Sequence, residues 1–169
     1  ARSRRSSRPG IAAPAKPAPR QAFYTGSYGD DVAAADLDRD GDLDLVVSNR
    51  FPSGNGTVTL LRNVSTTGTI GFADPLAPDP DEVFAVGERP EAIFVADFNR
   101  DGALDLAVAN DAVSTADSVS VLFGDGSGLF PSSVNLTLLA SESPLSVTGA
   151  DFDRDGDVDL AVGLFNADT

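Results

Sequence analysis

Three segments of the chain align without a gap: DVAAADLDRDGDLDLVVSN at 31–49, AIFVADFNRDGALDLAVAN at 92–110 and SVTGADFDRDGDVDLAVGL at 146–164. A chain that repeats itself in this way folds as stacked copies of one supersecondary unit, because a single copy cannot bury its own apolar side. The first aspartates of the shared motif, Asp36, Asp97 and Asp151, stand 61 and 54 residues apart. Short runs of small and β-branched residues flank each motif and are bounded by Gly, Asp, Asn and Pro, the pattern of strands joined by turns. Further strand-like runs follow the first two motifs (TVTLLRN at 57–63, SVSVLFGDGSGLF at 118–130). EVFAVGERP and VNLTLLASESP precede the second and third. Each unit reads as strand, Asp loop, strand, hairpin, strand, turn, strand. Val32–Ala35 tolerates helix but is too short for one, and its sister segments are strand-like. The expected fold is all-β, with three four-stranded antiparallel repeats at 23–82, 83–140 and 141–169, the last cut short at Thr169.

Residues 1–22 are different. They are rich in Pro, Ala and Ser, carry Arg2, Arg4, Arg5, Arg8, Lys16 and Arg20, and contain no acid. Such a segment cannot build a core and is expected to be extended. It is read as a leader, or as an arm that lies on an acidic partner or an anionic membrane surface and could dock the chain in a larger membrane complex. The remaining residues hold 6 basic and 26 acidic side chains, a net charge of −20. That body repels nucleic acid and attracts cations. With no Cys and no His, the chain has no disulfide, no thiolate or imidazole ligand and none of the usual nucleophile–base pairs. It also has no Met and no apolar run of the ~18–20 residues that cross a bilayer. The absence of Met, even at position 1, points to a processed or partial chain.

The repeated motif is Asp-x-Asp/Asn-x-Asp-Gly-x-x-Asp. Its members are Asp36, Asp38, Asp40, Gly41 and Asp44; Asp97, Asn99, Asp101, Gly102 and Asp105; and Asp151, Asp153, Asp155, Gly156 and Asp159. Oxygen donors at positions 1, 3 and 5 wrap a hard cation. Gly at position 6 permits the turn that aims them inward. Position 7 needs only a main-chain carbonyl, from Asp42, Ala103 and Asp157, and position 9 closes the shell. An EF-hand is excluded, because its bidentate Glu at position 12 is replaced by Val47, Val108 and Val162 and the flanks read as strands. Plain polar turns are the simpler alternative, but three loops with one ligand spacing argue against them. Two carboxylates ~5 Å apart repel by roughly 3 kcal/mol at an effective dielectric near 20, and 13 of the 26 acids lie in these loops. The expected cofactor is Ca²⁺, up to three ions, favoured over Mg²⁺ by a large, flexible, all-oxygen donor set. Loop two, with Asn99 in place of an acid, is expected to bind most weakly.

These residues resemble the FG-GAP/VCBS repeats of integrin α-subunits and many bacterial surface proteins. Phe123-Gly124 and the Asp-Leu-Ala-Val-Gly run at 159–163 carry the likeness as well, while the family's Gly-Ala-Pro ending is missing. The resemblance implies one β-propeller blade per repeat, calcium between its first two strands, and the fifteen positions above as ligands. Propellers close with typically 4–8 blades, so three repeats are read as part of a longer chain, or as an accessory subunit whose partner covers the open edges. The expected function is non-enzymatic: calcium-stiffened adhesion, recognition or complex assembly outside the cytoplasm (extracellular, cell-surface or periplasmic), with a protein or glycan partner. A carbohydrate-active propeller is the enzyme alternative, for which Asp74, Asp79, Asp81, Glu82 and Glu88 are acids outside the loops, better explained as a solvated connection. Tyr24 and Tyr28 are expected to pack where the tail meets the first blade. Phe94, Phe98, Phe123 and Phe152 are expected to fill the core between blades. Asn55, Asn63 and Asn135 match the glycosylation tripeptide.

Overall fold

The structure, a computed structural model, describes residues 22, 25, 28–73, 82–139 and 143–165. The reading of residues 1–22 falls outside these, Ala22 apart, as do Tyr24, Asp74, Asp79 and Asp81. The described residues form ten strands: β1 (Gly29–Ala35), β2 (Asp44–Asn49), β3 (Asn55–Leu61), β4 (Val83–Glu88), β5 (Pro90–Ala96), β6 (Asp105–Asn110), β7 (Ser118–Phe123), β8 (Ser132–Thr137), β9 (Ser143–Ala150) and β10 (Asp159–Phe165). They pair into antiparallel sheets of four (β1-β2-β3-β4), four (β5-β6-β7-β8) and two (β9-β10). Among the described residues no helix is long and apolar enough to cross a membrane.

The sheets stack face to face on their apolar sides, and the middle sheet is covered on both. One core lies between the first and second sheets, with Val46, Val58 and Leu60 meeting Ile93, Leu106, Val108 and Leu122. Phe84 and Phe130 meet there edge to face, ring centroids 4.9 Å apart. A second core lies on the far side of the middle sheet, where Ala107, Ala109, Val119 and Val121 pack with Val147, Leu160 and Val162. The first strand of the middle unit, β5, touches both β1 and β9. The approach is close enough to require glycine: a Cβ on Gly87 of β4 would lie 2.7 Å from Cγ of Asn110 on β6.

Three expectations are corrected. The boundary between the first two units lies at Arg89, not at 82/83, because β4 pairs with β3. The sequence around β4 says only that it is a strand, while hydrogen bonding decides which sheet it joins. Phe94, Phe98 and Phe123 do pack in the second core, but Phe152 is 61% exposed, since among the described residues no sheet covers the outer side of β9–β10. Tyr28, also exposed, sits in the left-handed region (φ 43°), where its carbonyl accepts from the Arg50 N–H.

Candidate metal centres

Register builds the three loops alike. Ala35 pairs with Asp44, Ala96 with Asp105 and Ala150 with Asp159, so each Asp motif is the closed connection of a β-hairpin. Within the loops the same hydrogen bonds recur. The position-1 carboxylate accepts from the Gly N–H at position 6: Asp36 from Gly41 (3.1 Å), Asp97 from Gly102 (2.9 Å) and Asp151 from Gly156 (3.0 Å). Position 3 accepts from the N–H of position 5 (Asp38, 3.3 Å; Asn99, 3.0 Å; Asp153, 3.1 Å). Position 5 accepts from the N–H of position 7 (Asp40, 2.8 Å; Asp101, 2.7 Å; Asp155, 2.8 Å). The last contact fixes the peptides of Asp42, Ala103 and Asp157. Gly41, Gly102 and Gly156 have φ of 94°, 86° and 91°, a region that favours glycine, as the motif requires.

Position 9 has a second job that spacing alone did not reveal. Asp44 Oδ2 accepts from Leu37 N–H (3.1 Å) and its Oδ1 from Asn63 N–H (2.9 Å). Asp105 likewise takes Phe98 N–H and Gly124 N–H, both at 2.8 Å. Each of these aspartates ties its loop to the end of the third strand. Both are fully buried. Burial pushes both carboxyls above the ordinary range, and nearby loop carboxylates (Asp38 and Asp40; Asp101) push the same way, while the main-chain donors pull them down. Asp159 receives Phe152 N–H at 3.0 Å and, among the described residues, has no third-strand donor.

The carboxylates gather differently from loop to loop. In loop one, Asp36, Asp38 and Asp40 bring oxygens within 4.8 Å of one another; in loop three, Asp151, Asp153 and Asp159 do so. Asp44 and Asp155 stand outside these groups. In loop two Asn99 interrupts the carboxylates, and its amide donates to Asp101 Oδ2 at 2.9 Å. The donors fit a hard cation on one further observation: Asp36 Oδ1 is buried and accepts no hydrogen bond. A buried carboxylate oxygen without a partner is costly, and its companions here are two more carboxylates.

Arginines, which the motif reading passed over, surround the loops. Arg62 binds Asp38 Oδ2 (2.9 Å) and Glu82 Oε1 (3.0 Å). Arg100 reaches from loop two to loop three. Glu82 thus holds an ion pair, and Glu88 Oε2 accepts from the Val113 and Ser114 N–H groups at 2.9 and 2.8 Å. Both acids have structural partners. Asn63 is similarly committed, donating to Leu43 O (2.8 Å) and accepting from Ser65 N–H (2.9 Å).

Comparison with known proteins points the same way. The FG-GAP repeat matches residues 28–61 and the FG-GAP-like repeat matches residues 97–162. The first covers β1 to β3 and the second runs from loop two to β10. Phosphatidylinositol-glycan-specific phospholipase D of Rattus norvegicus is 32% identical over 148 residues, 78% of this chain; the match spans 18% of that protein's length. Both repeat matches fall on the strand–loop–strand units that the structure stacks together, and the chain belongs to the FG-GAP repeat family.

Proposed function

We propose that the chain is a non-enzymatic, calcium-binding β-propeller module for recognition or assembly outside the cytoplasm. The observation that carries this reading is the buried, unpartnered Oδ1 of Asp36 among the carboxylates of Asp38 and Asp40. Calcium at such a loop would be held by side chains at positions 1, 3, 5 and 9 and the carbonyl at position 7, and would supply charge compensation and stiffness. Protein residues do the rest. The hairpin register closes the loop, glycine turns it, and the position-9 aspartate anchors it to the next strand. Loops of this kind suit compartments with abundant calcium, where modules bind with Kd around 10⁻⁴–10⁻³ M.

A binding role is favoured over catalysis because the chain offers neither His nor Cys, and Glu82 and Glu88 already hold structural contacts. The phospholipase activity named for the rat relative belongs to a protein of which this chain matches 18%. Partner contacts, to protein or glycan, would come from the connecting loops at the sheet ends. At the end opposite the Asp loops, Tyr28, Arg50, Phe51, Pro52, Arg89 and Val113 line a groove of about 370 Å³. Thermal unfolding in chelator, calcium and magnesium tests the metal half of the proposal. A ligand that binds only the native state raises stability by mass action, so calcium at several times its Kd is expected to raise the Tm, and magnesium to raise it less. An identical Tm in all three conditions would refute it.

A further inference from the structure

Of the six basic residues in 21–169, three (Arg39, Arg100 and Arg154) occupy position 4 of the three loops. All three have left-handed backbone, with φ of 62°, 59° and 67°. That conformation costs an L-residue about 1–2 kcal/mol, and Asn or Gly would adopt it more cheaply. A strained position that carries arginine in every copy directs attention to what the side chain does.

Arg100 leaves its own loop and grips the next. Its Nε donates to Gly156 O (3.0 Å), and its Nη2 donates to Asp155 O (3.1 Å) and pairs with Asp157 Oδ1 (2.7 Å). Arg39 reaches in the same direction. Its guanidinium lies against the middle unit's Gly126, where a Cβ would come within 2.5 Å of Cζ, and its Nη2 is 3.5 Å from a Cβ built on Gly102. The residues Arg100 holds, 155 to 157, include positions 5 and 7, one a side-chain donor and the other a carbonyl donor.

We infer that Arg100 is a positioning residue for the third metal loop: the arginine of one repeat pre-forms the cation site of the next. This rests on the calcium reading above. Two effects oppose each other. A guanidinium near a cation site repels the cation, but this one is paired with Asp157 and half exposed, so solvent and the paired charge screen it. The rigid planar fork, by contrast, fixes two carbonyls and a carboxylate at once, lowering the ordering cost of binding. Pre-organisation therefore outweighs repulsion.

The test follows one backbone amide signal per loop (Gly41, Gly102 and Gly156) by NMR during calcium titration of the whole chain, with hydrogen exchange of the same amides in chelator. In Arg100→Ala the Gly156 transition should shift to calcium concentrations about fivefold higher, the equivalent of one net hydrogen bond. Gly41 should titrate as before, and Gly156 should exchange faster in chelator. Arg100→Lys keeps the charge but loses the fork, and should resemble Arg100→Ala. Three normal transitions unmoved by Arg100→Ala, or a tighter third loop, would overturn this inference and leave the calcium reading standing. No transition at any loop of the unaltered chain would overturn the calcium reading, and this inference with it.

Discussion

Asp105→Ala removes a carboxylate that is fully buried and holds two main-chain amides, Phe98 N–H and Gly124 N–H, each at 2.8 Å. Leaving a buried donor unsatisfied costs about 1–3 kcal/mol, so the pair sets an upper range of about 2–6 kcal/mol. Part is returned, because burial disfavours the charged carboxylate in the native state and water reaches the vacated space. A net loss of about 2–4 kcal/mol is expected, a large share of a domain's total stability. The assay is urea unfolding with chelator present, so that no cation contributes. Asp159→Ala is the internal comparison, because among the described residues Asp159 holds one amide and is only partly buried; it should lose half as much or less. Adding calcium should then widen the gap between the unaltered protein and either variant, if position 9 also donates to the ion. If Asp105→Ala lost less than about 1 kcal/mol in chelator, position 9 would be a metal ligand without the bracing role assigned to it.

Further outcomes follow from the same contacts. Leu37, at position 2 of loop one, is 3% exposed in the core between the first two sheets; Leu37→Ala should cost about 2–5 kcal/mol by urea unfolding, and the exposed neighbour Leu43→Ala less than about 0.5 kcal/mol. The Ser114 hydroxyl and the Ser114 and Val113 amides hold the Glu88 carboxyl below the ordinary range. A depressed native pKa stabilises above the unfolded value, and the benefit is lost as pH falls through the native one. Glu88→Gln should therefore lower stability at neutral pH and flatten its decline in acid, read from Tm against pH. Single-loop Asp→Ala variants in titration calorimetry should rank loop two weakest, because Asn99 replaces a carboxylate and donates to Asp101; finding loop two tightest would refute the ranking.

Local features were legible in the sequence, and features made by contact between distant segments were not. The loop-closing pairs, the left-handed glycines and the hydrogen bonds inside the loops involve residues within nine positions of each other, so motif spacing determines them. The β-branched and small runs at 44–49 and 105–110 likewise declared themselves as strands. The sheet joined by β4 depends on pairing with β3 across a connection of more than twenty residues, and nothing in Val83–Glu88 encodes the choice. Position 9 hid its bracing role because its amide partners, Asn63 and Gly124, lie 19 residues downstream. Arg100 meets its acceptors 55 and 56 residues away; the only trace in sequence is that every loop has Arg at position 4. Phe152 shows the converse limit. Its neighbours repeat those of Phe98, but burial depends on a facing sheet, and among the described residues none covers Phe152.

Calcium titration of the whole chain by calorimetry, with native mass spectrometry to count bound ions, tests the central claim most directly. Up to three calcium ions per chain are expected, reduced by one in Asp36→Ala and again by one in Asp151→Ala. Heat and mass unchanged by calcium, in a protein that unfolds cooperatively, would contradict it.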